Sequence, residues 1–202
     1  MHRSLMLVVL LACLALVPSL ASAQVGGSDL RLGVGMVLDF GGEVDWDDDG
    51  PGDDDDDLKL TPGMRGHLDY DIARYVSVGG ALKLSFWEGD DVFEDRNLLV
   101  DLLARVGGHY DWRDFRFYGV LMIGPSISKL NKDVDWLENP AVGVAVSIAP
   151  GVEYWFSNSV GLYLEMFGWS GHFFSHEYDN ADGDLDLSMN QVVWQLGVNF
   201  AL

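Results

Sequence analysis

The feature that most constrains the fold is an alternation of apolar residues with a period of two. In the first segment the apolar set is Leu30, Leu32, Val34, Met36, Leu38 and Phe40, and the positions between are polar, charged or mostly small. Successive side chains of a β-strand point to opposite faces, so this period predicts a strand with one apolar face. The same pattern returns in segments 58–70, 76–86, 98–112, 115–127, 142–156, 160–168 and 192–202. The alternation therefore predicts eight strands, with Leu58 and Gly168 on the apolar faces.

The apolar faces of these eight segments carry no Asp, Glu, Lys or Arg. A soluble sheet tolerates charges on its exposed face, whereas a Lys or Arg facing lipid at the bilayer centre costs about 2–4 kcal/mol. The apolar faces are therefore predicted to contact lipid.

The opposite faces carry six basic and six acidic residues, which we predict to pair inside a narrow lumen. An isolated buried charge is costly, while paired and hydrogen-bonded charges are tolerated. The residues are Arg31, Lys59, Arg65, Lys83, Arg105, Arg116, Asp39, Asp69, Asp101, Asp111, Glu153 and Glu165. A structural ion-pair network is favoured over an active site for this set.

Short connections alternate with long ones along the chain. The short ones are predicted near 71–74, 111–114 and 157–159, and the long ones near 41–57, 87–97, 128–139 and 171–190. This is the pattern of outer-membrane barrels, in which the short turns are periplasmic. The fold class predicted is therefore all-β, an eight-stranded antiparallel up-and-down transmembrane β-barrel.

The formal charge of −20 is concentrated in the long connections. They hold 23 of the 32 acidic residues and only three bases, Arg96, Lys129 and Lys132. Such acidity disfavours nucleic acid as a partner because phosphates are repelled. An acidic external rim is predicted.

The N-terminus resembles a secretory signal peptide. His2 and Arg3 precede an apolar run over 5–16, and the small residues 21–23 form a cleavage site. The interpretation is a signal peptide over 1–23 and a barrel domain over 24–202, with Cys13 inside the leader.

Three segments resemble hairpins and the closing strand of the OmpA/OmpX-like outer-membrane β-barrel superfamily: 73–79, 151–165 and 194–202. The resemblance implies integral location in the bacterial outer membrane, contact with its lipid and lipopolysaccharide, and recognition by the barrel-assembly machinery. The usual final aromatic is replaced by Leu202. Because these families include anchors, adhesion proteins, small channels and lipid enzymes, the resemblance leaves the role and any extracellular partner open.

The first long connection contains an acidic run with a calcium-loop spacing. Asp45, Asp47 and Asp49 fit positions 1, 3 and 5 of an EF-hand loop, and Asp56 fits position 12. Aspartate is so frequent here that a solvated, self-repelling loop is the favoured interpretation. Loose binding of Ca²⁺ or Mg²⁺ is the alternative, and no other cofactor is expected.

The function predicted is non-enzymatic: a structural or surface-interaction role through the loops. A narrow or gated channel is the alternative, since inward glycines such as Gly33, Gly151 and Gly197 leave room for water. A lipid A-modifying enzyme is the second alternative, disfavoured because His172 and Ser175 are three residues apart, and this odd spacing places the two side chains on opposite faces of a strand.

Overall fold

The computed structural model describes residues 29–47, 54–88, 96–129, 140–177 and 184–202. The predicted leader and Asp49 lie outside these ranges. The strands are β1 (Leu30–Asp47), β2 (Asp54–Asp57), β3 (Thr61–Ala73), β4 (Val76–Trp87), β5 (Asn97–Trp112), β6 (Phe115–Lys129), β7 (Ala141–Trp155), β8 (Val160–Glu177) and β9 (Asp184–Ala201). The described residues include no helix long and apolar enough to cross a membrane.

The strands form one closed antiparallel barrel. Neighbours follow the order β2-β1-β3-β4-β5-β6-β7-β8-β9, and β9 pairs with β1 to close the ring. The short β2 pairs with the outer part of β1, where Glu43 lies opposite Asp57, and β3 pairs with the inner part. β2 and β3 pair with the same side of β1, one after the other, so together they count as one strand of the wall. The barrel therefore has eight strands, as predicted.

The predicted alternation of faces holds along most of the wall. On β5, Leu99 and Leu103 are buried inside, whereas Leu102 is 61% exposed on the outer surface. A closed barrel has no free sheet edge, so the backbone groups of every wall strand find partners within the barrel.

The largest departure from the predicted faces lies in β8, the seventh strand of the barrel wall. The registers with β7 and β9 both shift near Phe167, which has a φ of 57°. This bulge adds one residue and exchanges the faces beyond it. Gly168, predicted to face lipid, is therefore buried inside, and Trp169 is exposed.

The second correction concerns Leu58, which was predicted to face lipid. It lies in the break between β2 and β3 and is buried with the apolar residues at the loop end of the lumen. The strand hydrogen bonding is interrupted between β2 and β3, so side chains there need not alternate between the two faces. The Leu58 side chain accordingly points into the lumen.

The strands also extend farther at the loop end than the sequence predicts. β1 continues to Asp47, β8 to Glu177, and β9 begins at Asp184, so much of the predicted connections 41–57 and 171–190 is strand. These extensions carry the barrel wall beyond the apolar band.

Candidate functional site in the barrel lumen

The centre of the lumen is held by a buried network around Glu165. This carboxylate is fully buried and accepts hydrogen bonds from Arg65, from Arg105 Nη2 at 3.3 Å and from Tyr118 Oη at 3.0 Å. Arg105 Nε also lies 3.2 Å from Asp69 Oδ1. Two guanidinium groups thus face two carboxylates, which compensates the cost of burying each charge.

A second group lies at the periplasmic end and is centred on Asp71. Its Oδ2 lies 2.6 Å from Arg31 Nη1 and 3.0 Å from Arg116 Nη1. Arg116 Nε in turn donates to Asp111 Oδ1 at 2.6 Å. The Asp111 side chain, predicted to be inside, is 51% exposed at the rim.

Glu153 stands apart from these pairs. It is buried, and its Oε2 accepts a hydrogen bond from Trp155 Nε1 at 3.1 Å. It lines a cavity of about 10 Å³ together with Arg31, Arg105, His109 and Arg116. That volume holds about one water molecule, so this end of the lumen is polar but nearly filled.

The third group lies toward the loop end. Lys83 Nζ is 2.5 Å from Asp39 Oδ2. Asp101 accepts a hydrogen bond from Ser126 Oγ at 2.6 Å, and its other oxygen is 3.0 Å from His172 Nε2. All five side chains are buried.

Above this group, buried apolar side chains pack together inside the lumen. They come from six strands of the wall and from the break between β2 and β3, so they meet across the whole section of the barrel. The residues are Val44, Leu58, Trp87, Leu99, Ala141, Phe174, Leu187 and Met189. We refer to this set as the apolar plug.

Three of the inward glycines sit beneath large side chains rather than beside open space. A Cβ at Gly33 would overlap the ring of His67, one at Gly151 would overlap Tyr118, and one at Gly197 would overlap Tyr163. The room for water expected at these glycines is therefore occupied by aromatic and imidazole rings.

Apart from Asp111, the predicted lumen network has eleven charged residues. Nine of them are buried inside: Arg31, Asp39, Arg65, Asp69, Lys83, Asp101, Arg105, Glu153 and Glu165. Arg116 is 13% exposed at the periplasmic end. Lys59 differs, because its side chain is 41% exposed at the loop end and pairs with Glu88 at 3.2 Å.

Sequence reasoning missed two members of the network, Asp71 and His172. Asp71 follows Asp69 by two residues, so the alternation extended by one step would have found it. His172 lies beyond the β8 bulge, where the phase changes, and no local signal marked it.

The predicted calcium-binding residues lie on the β1–β2 extension. Asp45 is exposed, and the register places Asp45 opposite Asp55 and Asp56 opposite Val44. Asp49 and the side chains of Asp47 and Asp56 lie outside the described part. No metal-binding group of three His, Cys, Asp or Glu residues is present within the described ranges, and divalent binding stays a prediction.

His172 also bears on the enzyme alternative. Its ring is fully buried against Asp101 and stacks on Phe174, with centroids 6.3 Å apart. A catalytic dyad acting on a lipid ester must reach the ester carbonyl, and His172 and Ser170, the serine two residues away on the same strand, are both buried inside the barrel.

Comparisons with known proteins agree with this architecture. The family model for the outer membrane protein beta-barrel domain matches residues 7–201. No curated protein matches the sequence. Similar solved structures include the outer membrane protein OprG from Pseudomonas aeruginosa, with 9% identity, a TM-score of 0.57, and coverage of 86% of this chain and 95% of that one.

Two further structures are similar. AlkL, an outer membrane protein solved in lipid bilayers, has 14% identity and a TM-score of 0.53, over 90% of this chain and 93% of that one. Neisserial surface protein A has 11% identity and a TM-score of 0.51, over 88% and 99%. At these identities the likeness shows the fold alone.

Proposed function

Since this chain belongs to the outer membrane protein beta-barrel domain family and lies in the bacterial outer membrane, we propose that it is a closed, non-enzymatic barrel that acts through its loop end. The lumen in this proposal is a structural core, and the acidic loops form the surface that meets other molecules.

The observation that carries the proposal is the apolar plug. Trp87 on β4, Leu99 on β5, Phe174 on β8 and Met189 on β9 are each 2% exposed or less and belong to one buried cluster, so side chains from several walls fill this height of the lumen. An eight-stranded barrel is just wide enough for side chains to fill it. A continuous aqueous channel through the described residues would require these side chains to move.

The network below the plug supports the same role. Arg65, Arg105, Glu165 and Asp69 tie β3, β5 and β8 together across the lumen. Removing one partner of a buried pair is strongly destabilising, so these charges favour a fixed interior over a mobile one.

The loops support an interacting role because they hold most of the charge. Their 23 acidic residues face only three bases, and such a rim attracts cations and repels anionic surfaces. Outer-membrane lipid and lipopolysaccharide surround the wall in this proposal, and the barrel-assembly machinery inserts it.

Single-channel recording tests whether the lumen conducts ions. We expect purified, refolded protein in planar bilayers to give no unitary openings. A matched variant with Trp87, Leu99 and Met189 replaced by alanine keeps the ion pairs and widens the loop end, and it shows how far the plug alone limits current. Regular openings of the unaltered protein would contradict the proposal.

The second candidate is a narrow or gated channel. It is favoured by the polar lining that continues from the Lys83–Asp39 pair to the cavity near Glu153. Openings that require voltage or acid in the same recordings would support it. Lipid A mass spectrometry with and without the protein tests the enzyme alternative, and we expect identical spectra.

A further inference from the structure

Two exposed arginines at the periplasmic rim differ from the others in the described barrel. Arg31, Arg65, Arg105 and Arg116 pair with carboxylates inside or near the lumen, and Arg96 pairs with Glu88 at the loop end. Arg74 and Arg113 are exposed, and neither forms an ion pair with any residue that the structure describes. Both guanidinium groups are therefore available to an anion from outside the protein.

Each of the two guanidinium groups lies over an aromatic ring. Arg74 Cζ is 5.1 Å from the ring centroid of Tyr75, and Arg113 Cζ is 5.4 Å from that of Trp112. The rings are themselves 49% and 52% exposed. A cation over an aromatic face is held by the ring quadrupole, and the stacked guanidinium keeps its N–H edge free to donate.

The two arginines occupy neighbouring turns of the rim. The backbone N–H of His109 on β5 donates to the carbonyl of Tyr75 at 2.9 Å, which joins the turn before β4 to the strand that leads to Trp112. The aromatic surface then continues along the rim, because the ring centroid of Phe115 lies 6.4 Å from that of Trp112 and 5.0 Å from that of Tyr154.

The backbone at Arg113 points to a role for its side chain. Arg113 and Asp114 form the two-residue turn between β5 and β6, and Arg113 has a φ of 56°. Glycine, asparagine and aspartate are the usual residues at positive φ in such turns. An arginine there is conformationally costly, so the turn itself gives no reason for its presence.

We propose that Arg74 and Arg113 bind the phosphates of phospholipid headgroups in the periplasmic leaflet, with a preference for anionic phospholipid. The short turns place both residues at the periplasmic interface. The exposed rings beneath them lie where acyl chains meet headgroups, and aromatic side chains favour that depth. The free guanidinium edges match the phosphate oxygens, which accept paired N–H donors.

The site is independent of the loops and of the lumen. It would anchor the periplasmic end of the barrel in its own leaflet and orient the wall through two adjacent turns. The loop end repels anionic headgroups because of its acidic residues, so lipid selectivity would be confined to one end of the barrel.

Lipid immobilisation measured by electron paramagnetic resonance tests the site. The full barrel is reconstituted in phosphatidylcholine vesicles with spin-labelled phosphatidylglycerol or spin-labelled phosphatidylcholine, and the ratio of their association constants is measured. We expect the double variant Arg74→Gln/Arg113→Gln to lose at least half of the phosphatidylglycerol preference of the unaltered protein.

The matched control is Lys129→Gln, which removes an exposed base from the loop end of β6. We expect it to leave the preference unchanged, and Arg74→Lys/Arg113→Lys to retain part of it. Each variant is shown to be folded by its migration as a compact species on a denaturing-detergent gel when the sample has not been heated. No preference in the unaltered protein, an unchanged preference in the double glutamine variant, or a loss caused by Lys129→Gln would each overturn the proposal.

Discussion

Tyr118 reaches Glu165 across Gly151. The three residues lie in register on β6, β7 and β8, with Tyr118 opposite Gly151 and Gly151 opposite Glu165. The phenol ring covers the glycine, and its hydroxyl donates to Glu165 Oε1 at 3.0 Å. Because Gly151 on β7 has no Cβ, the Tyr118 side chain on β6 can lie over it and form a hydrogen bond with Glu165 on β8.

Replacing Gly151 with alanine is therefore expected to weaken the barrel. The added methyl group overlaps the Tyr118 ring and displaces its hydroxyl, and overpacking of this kind costs about 1–3 kcal/mol. Urea unfolding in lipid vesicles, followed by tryptophan fluorescence, measures the free energy of unfolding. The control is Gly119→Ala, where a Cβ meets nothing within 4 Å. Equal losses for the two variants would contradict the close packing at Gly151.

Replacing Glu165 with glutamine tests the central network. The substitution keeps the shape and leaves Arg65 and Arg105 facing Asp69 alone, so we expect a loss of about 3–5 kcal/mol in the free energy of unfolding. Asp111→Asn is the control, because this carboxylate pairs with Arg116 while 51% exposed. An exposed pair contributes about 0–1 kcal/mol. A loss for Glu165→Gln as small as for Asp111→Asn would show that the network contributes little.

Because of the β8 bulge, we expect glycine to be tolerated better than alanine at position 167, the reverse of the usual order in a strand. At a φ of 57°, glycine carries no Cβ penalty, so Phe167→Gly should be more stable than Phe167→Ala by about 1 kcal/mol. Phe173 on the same strand is also exposed on the outer surface and has no positive φ. There the order should reverse, because glycine destabilises a regular strand by about 0.5–1 kcal/mol. The same order at both positions would argue against the bulge.

Loose divalent binding by the acidic residues at the end of β1 and in the connection to β2 is the alternative to a solvated segment. If the alternative holds, calorimetry on the folded barrel shows saturable heat at millimolar calcium, reduced by Asp45→Asn/Asp47→Asn, since carboxylate oxygens are the preferred ligands of calcium. Asp114→Asn removes an exposed acid from the periplasmic rim and should change nothing. Absence of saturable heat would leave the loop as a solvated, self-repelling segment.

The strand count, the closed barrel and the location in the outer membrane were all predicted from the chain, and the structure and the comparisons confirm them. Alternation is local, so it can be followed along one strand without its neighbours. The exclusion of charge from one face is equally local, because lipid penalises each charged side chain independently. The aromatic residues Tyr110 and Trp112 at the periplasmic rim follow the same pattern.

The partners within the lumen were not predictable to the same degree. Arg65 and Glu165 are 100 residues apart in sequence, and their contact depends on how far each strand is staggered against the next. Leu58 and Gly168 were placed on the wrong face because a break and a bulge interrupt the period of two. Neither interruption is visible locally, since each is decided by how the adjacent strands pair.

The amino-acid sequence by itself therefore determined which faces meet lipid, how many strands cross it and where the charges gather. Only the tertiary structure decided which side chains fill the lumen, because side chains from different strands, such as Trp87 and Met189, must reach the same height to pack together. It also decided that Tyr118 occupies the space above Gly151. The physical reason is that lipid selects residues one at a time, whereas packing and ion pairing depend on the register of all eight wall strands together.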